Sequence, residues 1–100
     1  MQARPVNRQS RNIVGGRVKE ARRFHSPPLT QDQLSGKLAA QGVQMDRVAI
    51  AKVETGARST FDFEVRGLAA ALRVDANWLL GINVEGAKRG TRVAVRRPGV

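Results

Sequence analysis

Almost every side chain here that could do chemistry is a cationic donor. Eighteen Lys and Arg stand against eight Asp and Glu, a formal net charge of +10. Guanidinium and ammonium groups donate hydrogen bonds to anions and accept none. The other reactive groups are sparse: one histidine (His25), no cysteine, and acids that occur singly. Without those groups neither a nucleophile–base pair nor a zinc site is built in familiar ways. There is no disulfide framework, and no glycine-rich loop with a lysine follows a strand. The expectation is a chain that is not an enzyme and carries no metal and no cofactor. His25, beside prolines at a helix end, reads as a partner of that helix's C-terminal dipole.

The cations are unevenly placed. Residues 1–11 hold Arg4, Arg8 and Arg11 with no acid, and residues 82–100 hold Lys88, Arg89, Arg92, Arg96 and Arg97 against Glu85. Residues 12–81 carry only +3, so the two tails carry the other +7. A polyanionic partner follows: nucleic acid, an acidic membrane surface or an acidic protein. The tails are either solvated or act as arms that grip phosphates with counterion release.

The elements that position these groups are short. The chain's 100 residues fit one domain with tails. The aromatic residues are Phe24, Phe61, Phe63 and Trp78, so the core is aliphatic, which favours an all-α bundle. Residues 1–11 contain Pro5, lack periodicity and read as a disordered basic arm. A first helix is expected from about Asn12 to His25, with Val14, Val18 and Ala21 inward and Phe24 closing the face. Gly15 and Gly16 weaken its first turn, and Pro27-Pro28 stops it. Thr30 opens a second helix with Gln33 in a capping box, Leu34 and Leu38 inward, and Gly42 past its end. Asp46 caps a third helix, Arg47 to Glu54, ended by Gly56, with Ala49, Ile50 and Val53 inward. Val65, Leu68, Ala69 and Leu72 mark a fourth helix, capped by Thr60 or Asp62. Asp75 caps a fifth, Ala76 to Leu80, and Gly81 ends the folded core. Residues 82–100 are either disordered or a short segment that orders on a partner. No apolar run reaches the roughly 18 residues of a membrane span, and the N-terminus lacks the apolar stretch of a signal peptide. A soluble intracellular protein with no membrane partner is the expectation.

The outward positions of the third helix are Arg47, Val48, Ala51 and Lys52, an unusually apolar set for a solvent surface. Four stretches carry a resemblance: GRVKEAR at 16–22, LTQDQLSGKLA at 29–39, RVAIAKVETG at 47–56 and LAAALRVDANWLLG at 68–81. Together and in this order they resemble the Cro/C1-type (XRE-like) helix-turn-helix regulators, the phage-repressor family, over about two-thirds of the chain. The resemblance implies a five-helix helix-turn-helix domain over 12–81, flanked by flexible basic tails. Its third helix would read the major groove.

What the resemblance implies for single residues is specific. Arg47, Val48 and Lys52 fall at base-reading positions: the two cations donate to guanine O6 and N7, and Val48 packs on a thymine methyl. Phosphate contact or solvation remains open for Arg47 and Lys52, and core packing for Val48. Gln31, with Thr30 at the N-terminus of the second helix, falls at a DNA-backbone position, where free N–H groups attract phosphate; an ordinary exposed glutamine is the alternative. Arg58 is a further backbone candidate or a solvated charge. Arg22 and Glu54 match a structural ion pair between the first and third helices. The stretch from Leu38 to Ile50 is about five residues longer than usual in the family, with AAQGVQM in the extra length. The second helix is therefore expected to run a turn longer before a wider turn.

The function so implied is a sequence-specific, double-stranded DNA-binding transcriptional regulator, a repressor acting as a homodimer on a palindromic operator. A bacterial or phage-encoded, cytoplasmic and nucleoid-associated protein goes with it. Two alternatives stay open: an antitoxin whose tail binds a toxin, and a domain of the same fold that works mainly by protein contact.

Overall fold

The local signals resolve into five helices. The computed structural model describes residues 10–82. Its elements are α1 (Gly15–Phe24), α2 (Gln31–Ala40), α3 (Arg47–Thr55), α4 (Asp62–Leu72) and α5 (Ala76–Leu79), with no strand among the described residues. The expectations for an arm over 1–9 and a tail over 83–100 lie outside the described residues.

Short polar side chains start these helices because the first N–H groups of a helix have no partner within it. Thr30 Oγ1 accepts from the Gln33 N–H at 3.0 Å, and Gln33 Oε1 accepts from the Thr30 N–H at 2.8 Å. Asp46 accepts from the Ala49 N–H, and Asp75 from the Asn77 N–H. At the other ends Gly42, Gly56 and Gly81 adopt φ near +80°, where a side chain would be strained.

Several boundaries differ from the sequence expectation. Asn12 is not helical: its Oδ1 accepts from the N–H groups of Val14 and Gly15, and α1 begins only at Gly15. Neither Thr60 nor Asp62 caps α4; the Glu64 carboxylate accepts from the Phe61 N–H at 2.9 Å. Phe24 does not close the inner face of α1, since it is exposed. Leu80 is the C-cap of α5 rather than its last residue.

The core is aliphatic, as the composition requires. Its fully buried members are Val14, Val18, Leu34, Leu38, Ile50, Val53, Leu68 and Leu79. Full burial of such a side chain is worth about 1.5–3 kcal/mol, against about 1 kcal/mol for a cap. Packing therefore holds the fold and the caps set its boundaries. α4 is central, meeting α1, α2 and α5, while α3 rests on α1 and α2. Arg17 of α1 clamps α5: its guanidinium lies 4.8 Å from the Trp78 ring centroid and donates to the Trp78 carbonyl at 2.8 Å.

The long segment between α2 and α3 is anchored. Gly42 turns the chain, the Val43 N–H donates to Leu38 O at 2.9 Å, and Val43 and Met45 are buried. Val43 fills the space left by the missing side chain of Gly67 in α4. α2 ends at Ala40, so much of the extra length is used for core packing by Val43 and Met45.

Arg73, the C-cap of α4, sits at φ 60° without being glycine. The left-handed conformation costs an L-residue about 1–2 kcal/mol, partly offset by glycine's larger loss of freedom on folding. Arg73→Gly should raise stability by about 1 kcal/mol, or a melting point about 4–8 °C higher. Thermal denaturation tests this, and a lower melting point would show that the Arg73 side chain contributes more than its backbone costs.

Candidate functional site

α3 has two unlike faces. Ile50 and Val53 are fully buried against α1 and α2. On the other side Arg47, Val48 and Lys52 are exposed, with Ala51 half-buried between them. Val48 is 55% exposed, which removes core packing as its role. Thr55 continues this stripe one turn further and is also exposed. Positions 48, 51, 52 and 55 repeat at i, i+3, i+4 and i+7, so the helical period carries the stripe past the residues singled out in the sequence.

This stripe does not stand alone. A shallow cleft of about 350 Å³ is lined by Gln31, Arg47, Val48, Ala51, Lys52 and Thr55. A second, of about 540 Å³, adds Lys19, Arg22, Thr30, Asp32 and Glu54. The N-terminus of α2 and the outer face of α3 therefore form one concave surface, with Lys19 of α1 on its rim. Lys19 carries no local sequence signal; it arrives there because α1 packs on α3.

Three polar side chains fix the junction behind that surface. Arg22 of α1 meets Glu54 of α3 in a bidentate pair, Nε to Oε2 at 2.7 Å and Nη2 to Oε1 at 3.0 Å. Their side chains are 14% and 4% exposed. Arg22 Nη1 also donates to Leu29 O at 3.0 Å, which holds the link between α1 and α2. Gln31 Nε2 donates to Glu54 Oε1 at 3.1 Å. A carboxylate at the negative end of α3 is unfavourable alone; here three N–H donors from two other helices surround it.

The sequence-derived candidates thus separate. Arg47, Val48 and Lys52 share the open face. Arg47 Nε lies 3.9 Å from Asp32, but both side chains are well exposed, so the pair is weak. Thr30 caps α2 beside them, and its hydroxyl oxygen is engaged in the capping box. Gln31 lines both clefts with one amide N–H on Glu54, and the other N–H of that group remains as a donor.

Arg58 is not a plain solvated charge: Nη1 and Nη2 reach Glu64 Oε1 and Oε2 at 3.2 and 3.1 Å, and 29% of its side chain stays exposed. Glu64 is the buried charged residue of α4, so Arg58 neutralises it and ties the link after α3 to the start of α4. His25 Nδ1–H donates to Pro27 O, 2.9 Å away, while its Nε2 is buried without a partner. Among the described residues no group of three or more His, Cys, Asp or Glu is placed to hold a metal, and no helix is long and apolar enough to cross a membrane.

No protein-family model, curated protein or solved structure matches the chain.

Proposed function

We propose that this chain is a helix-turn-helix regulator of the phage-repressor type, binding double-stranded DNA in a sequence-specific way, with α3 in the major groove. The observation that carries this reading is the open face of α3 described above. An exposed Arg–Val–Lys stripe lies on a helix whose opposite face is locked by Ile50, Val53 and the Arg22–Glu54 pair. A recognition helix needs that combination, because its outer residues read base edges only if the helix is held at a fixed tilt. Arg47 and Lys52 carry donors for guanine, and Val48 an apolar surface for a thymine methyl. Gln31 and the N-terminus of α2 sit beside them to take a phosphate.

One small domain reads few base pairs, so a homodimer on a palindromic operator is part of the proposal, with half-sites roughly 34 Å apart. Half-buried Leu80 and exposed Ile82, at the end of α5, supply apolar surface for the second copy. Selection of bound DNA from a random pool tests the reading. The expected product is a two-fold symmetric site, and no retardation of any DNA at low salt would remove the proposal. On that site Lys52→Ala or Arg47→Ala should each cost about 1–3 kcal/mol and relax selectivity at one base position. A loss of equal size on every sequence would make the residue a phosphate contact instead.

A second reading, an antitoxin that uses the domain for DNA and another protein, is favoured by one feature. Phe61 and Phe63 stack with ring centroids 5.7 Å apart, and both are at least half exposed. Exposed aromatic surface of this kind suits a protein partner. A small toxin-like reading frame beside the gene would favour this reading.

A further inference from the structure

A surface that takes up a polyanion has no obvious use for an open acid, yet this one carries Asp32. The carboxylates lining the concave surface are Asp32 and Glu54. Glu54 is 4% exposed and accepts from three N–H donors of Arg22 and Gln31, so its charge is taken up within the fold. Asp32 stands in the first turn of α2 with its side chain 78% exposed. A carboxylate so placed repels phosphate and weakens the general pull of the chain on DNA.

Its cationic partner narrows the role. Arg47 Nε lies 3.9 Å from Asp32 Oδ1. Lys19 lines the same cleft but forms no ion pair with Asp32 among the described residues. Arg22 is committed to Glu54 and to Leu29 O. An exposed pair at this distance contributes little to stability. Docking in a groove displaces the water around it, and the same two charges then attract more strongly. The contact also divides the guanidinium. Asp32 faces Nε, which leaves Nη1 and Nη2 as the forked donors that guanine O6 and N7 accept together. A cation beside a carboxylate is also drawn less to a phosphate.

We propose that Asp32 is a positioning residue for Arg47, holding its guanidinium for one guanine and away from the phosphates, and so sets selectivity at that base. The proposal rests on the DNA-binding reading above and deepens it, since it gives Arg47 base reading in place of backbone contact. On a site without that guanine the repulsion between Asp32 and the backbone is not offset, so selectivity rises as general affinity falls. The competing role for Asp32 is that of an acid at the positive end of α2, which acts on stability alone.

The test uses the full chain, with Asp32→Asn and Arg47→Ala made singly and together. Affinity is measured on the selected site, on that site with each base changed, and on random DNA. Asn keeps the size of the side chain and removes its charge. D32N should bind random DNA more tightly, while selectivity at the Arg47 base falls about five-fold, the lower end of what a bidentate pair supplies. Selectivity at the other positions should not change. Within R47A, adding D32N should raise affinity equally on every sequence and alter no preference. A gain of equal size on every sequence from D32N alone would overturn the proposal in favour of simple charge repulsion. A change in base preference caused by D32N within R47A would overturn it in favour of Asp32 touching a base itself. Unchanged binding by D32N would also overturn it, and a lower melting point would then assign Asp32 to the helix-end role. Each of these removes this proposal alone, whereas absence of sequence-preferring binding by the unaltered chain removes the underlying reading with it.

Discussion

Gly15→Ala lowers the stability of this domain by about 3 kcal/mol, the upper end of the usual range for forced overpacking. In a domain of this size that is a melting point roughly 12–24 °C lower. Gly15 lies where the start of α1 crosses the end of α3, and a Cβ there would collide with the carbonyl oxygen of Val53 and press on its carbon and on Glu54 O. Those atoms are backbone, so relief requires the two helices to separate. Helix propensity pulls the other way, since Ala is favoured over Gly in a helix by up to about 1 kcal/mol, and the collision outweighs it. Gly36 supplies the contrast. It is exposed in α2 with nothing within 4 Å of an added Cβ, so Gly36→Ala should stabilise by about 0.5–1 kcal/mol. The same substitution at two helical glycines should give opposite signs in thermal melts. If both variants melted higher, the α1–α3 crossing described here would be wrong.

Gly15 also marks where sequence reasoning loses sight of the fold. Its type and place give a weakened first turn, which is a local statement. Its use is a close approach to residues 38 and more positions away. The signals that survive into the structure are local as well. Thr30 with Gln33, Asp46, Asp75, Gly42 and Gly56 act within a turn or two of their own positions, and the helical period puts Leu34, Ile50, Val53 and Leu68 inside. Asn12 shows the opposite case. Its amide bridges Val53 and Arg58, 41 and 46 residues away, and nothing around it in the sequence distinguishes it from a loop residue. Phe24 fails for a related reason: it continues the i, i+3 spacing of α1, but the helix extends past the core at that point.

For the candidate site the division is similar. Arg47, Val48 and Lys52 were legible because a helix with Ile50 and Val53 inside must turn those three outward. The pairing of Arg58 was not legible because a cation in a polar link gives no sign of a buried acid six residues on. That acid, Glu64, sits at the third position of α4, where it also serves the Phe61 N–H. A carboxylate with two such duties is not visible until α4 is placed. Gln31 keeps its position beside α3, but its bond to Glu54 adds a structural duty that spacing could not supply.

Glu54 is the second residue at which a large effect is expected. Breaking a buried ion pair from one side costs about 3–5 kcal/mol, because the remaining charge keeps its burial and loses its partner. The two sides of this pair are not equivalent. Glu54→Ala leaves Arg22, whose side chain is 14% exposed, lines the 540 Å³ cleft, and keeps its bond to Leu29 O. Its guanidinium can take up water there, so the cost should lie near the lower end, about 3 kcal/mol. Arg22→Ala leaves a carboxylate only 4% exposed with the Gln31 amide as its remaining donor, and it also removes the donor to Leu29 O. That cost should approach about 5 kcal/mol. Denaturant titration of both variants tests the order, and a smaller loss for Arg22→Ala would reverse the assignment of which charge is more deeply held. The double variant R22M/E54L should recover most of the loss, since no charge is left without a partner. Recovery of stability need not bring back recognition. If α3 reads DNA, its tilt is set by this pair together with Ile50 and Val53. A double variant that melts like the unaltered chain but binds all sequences alike would show that the buried charges fix the angle of the helix as well as its attachment.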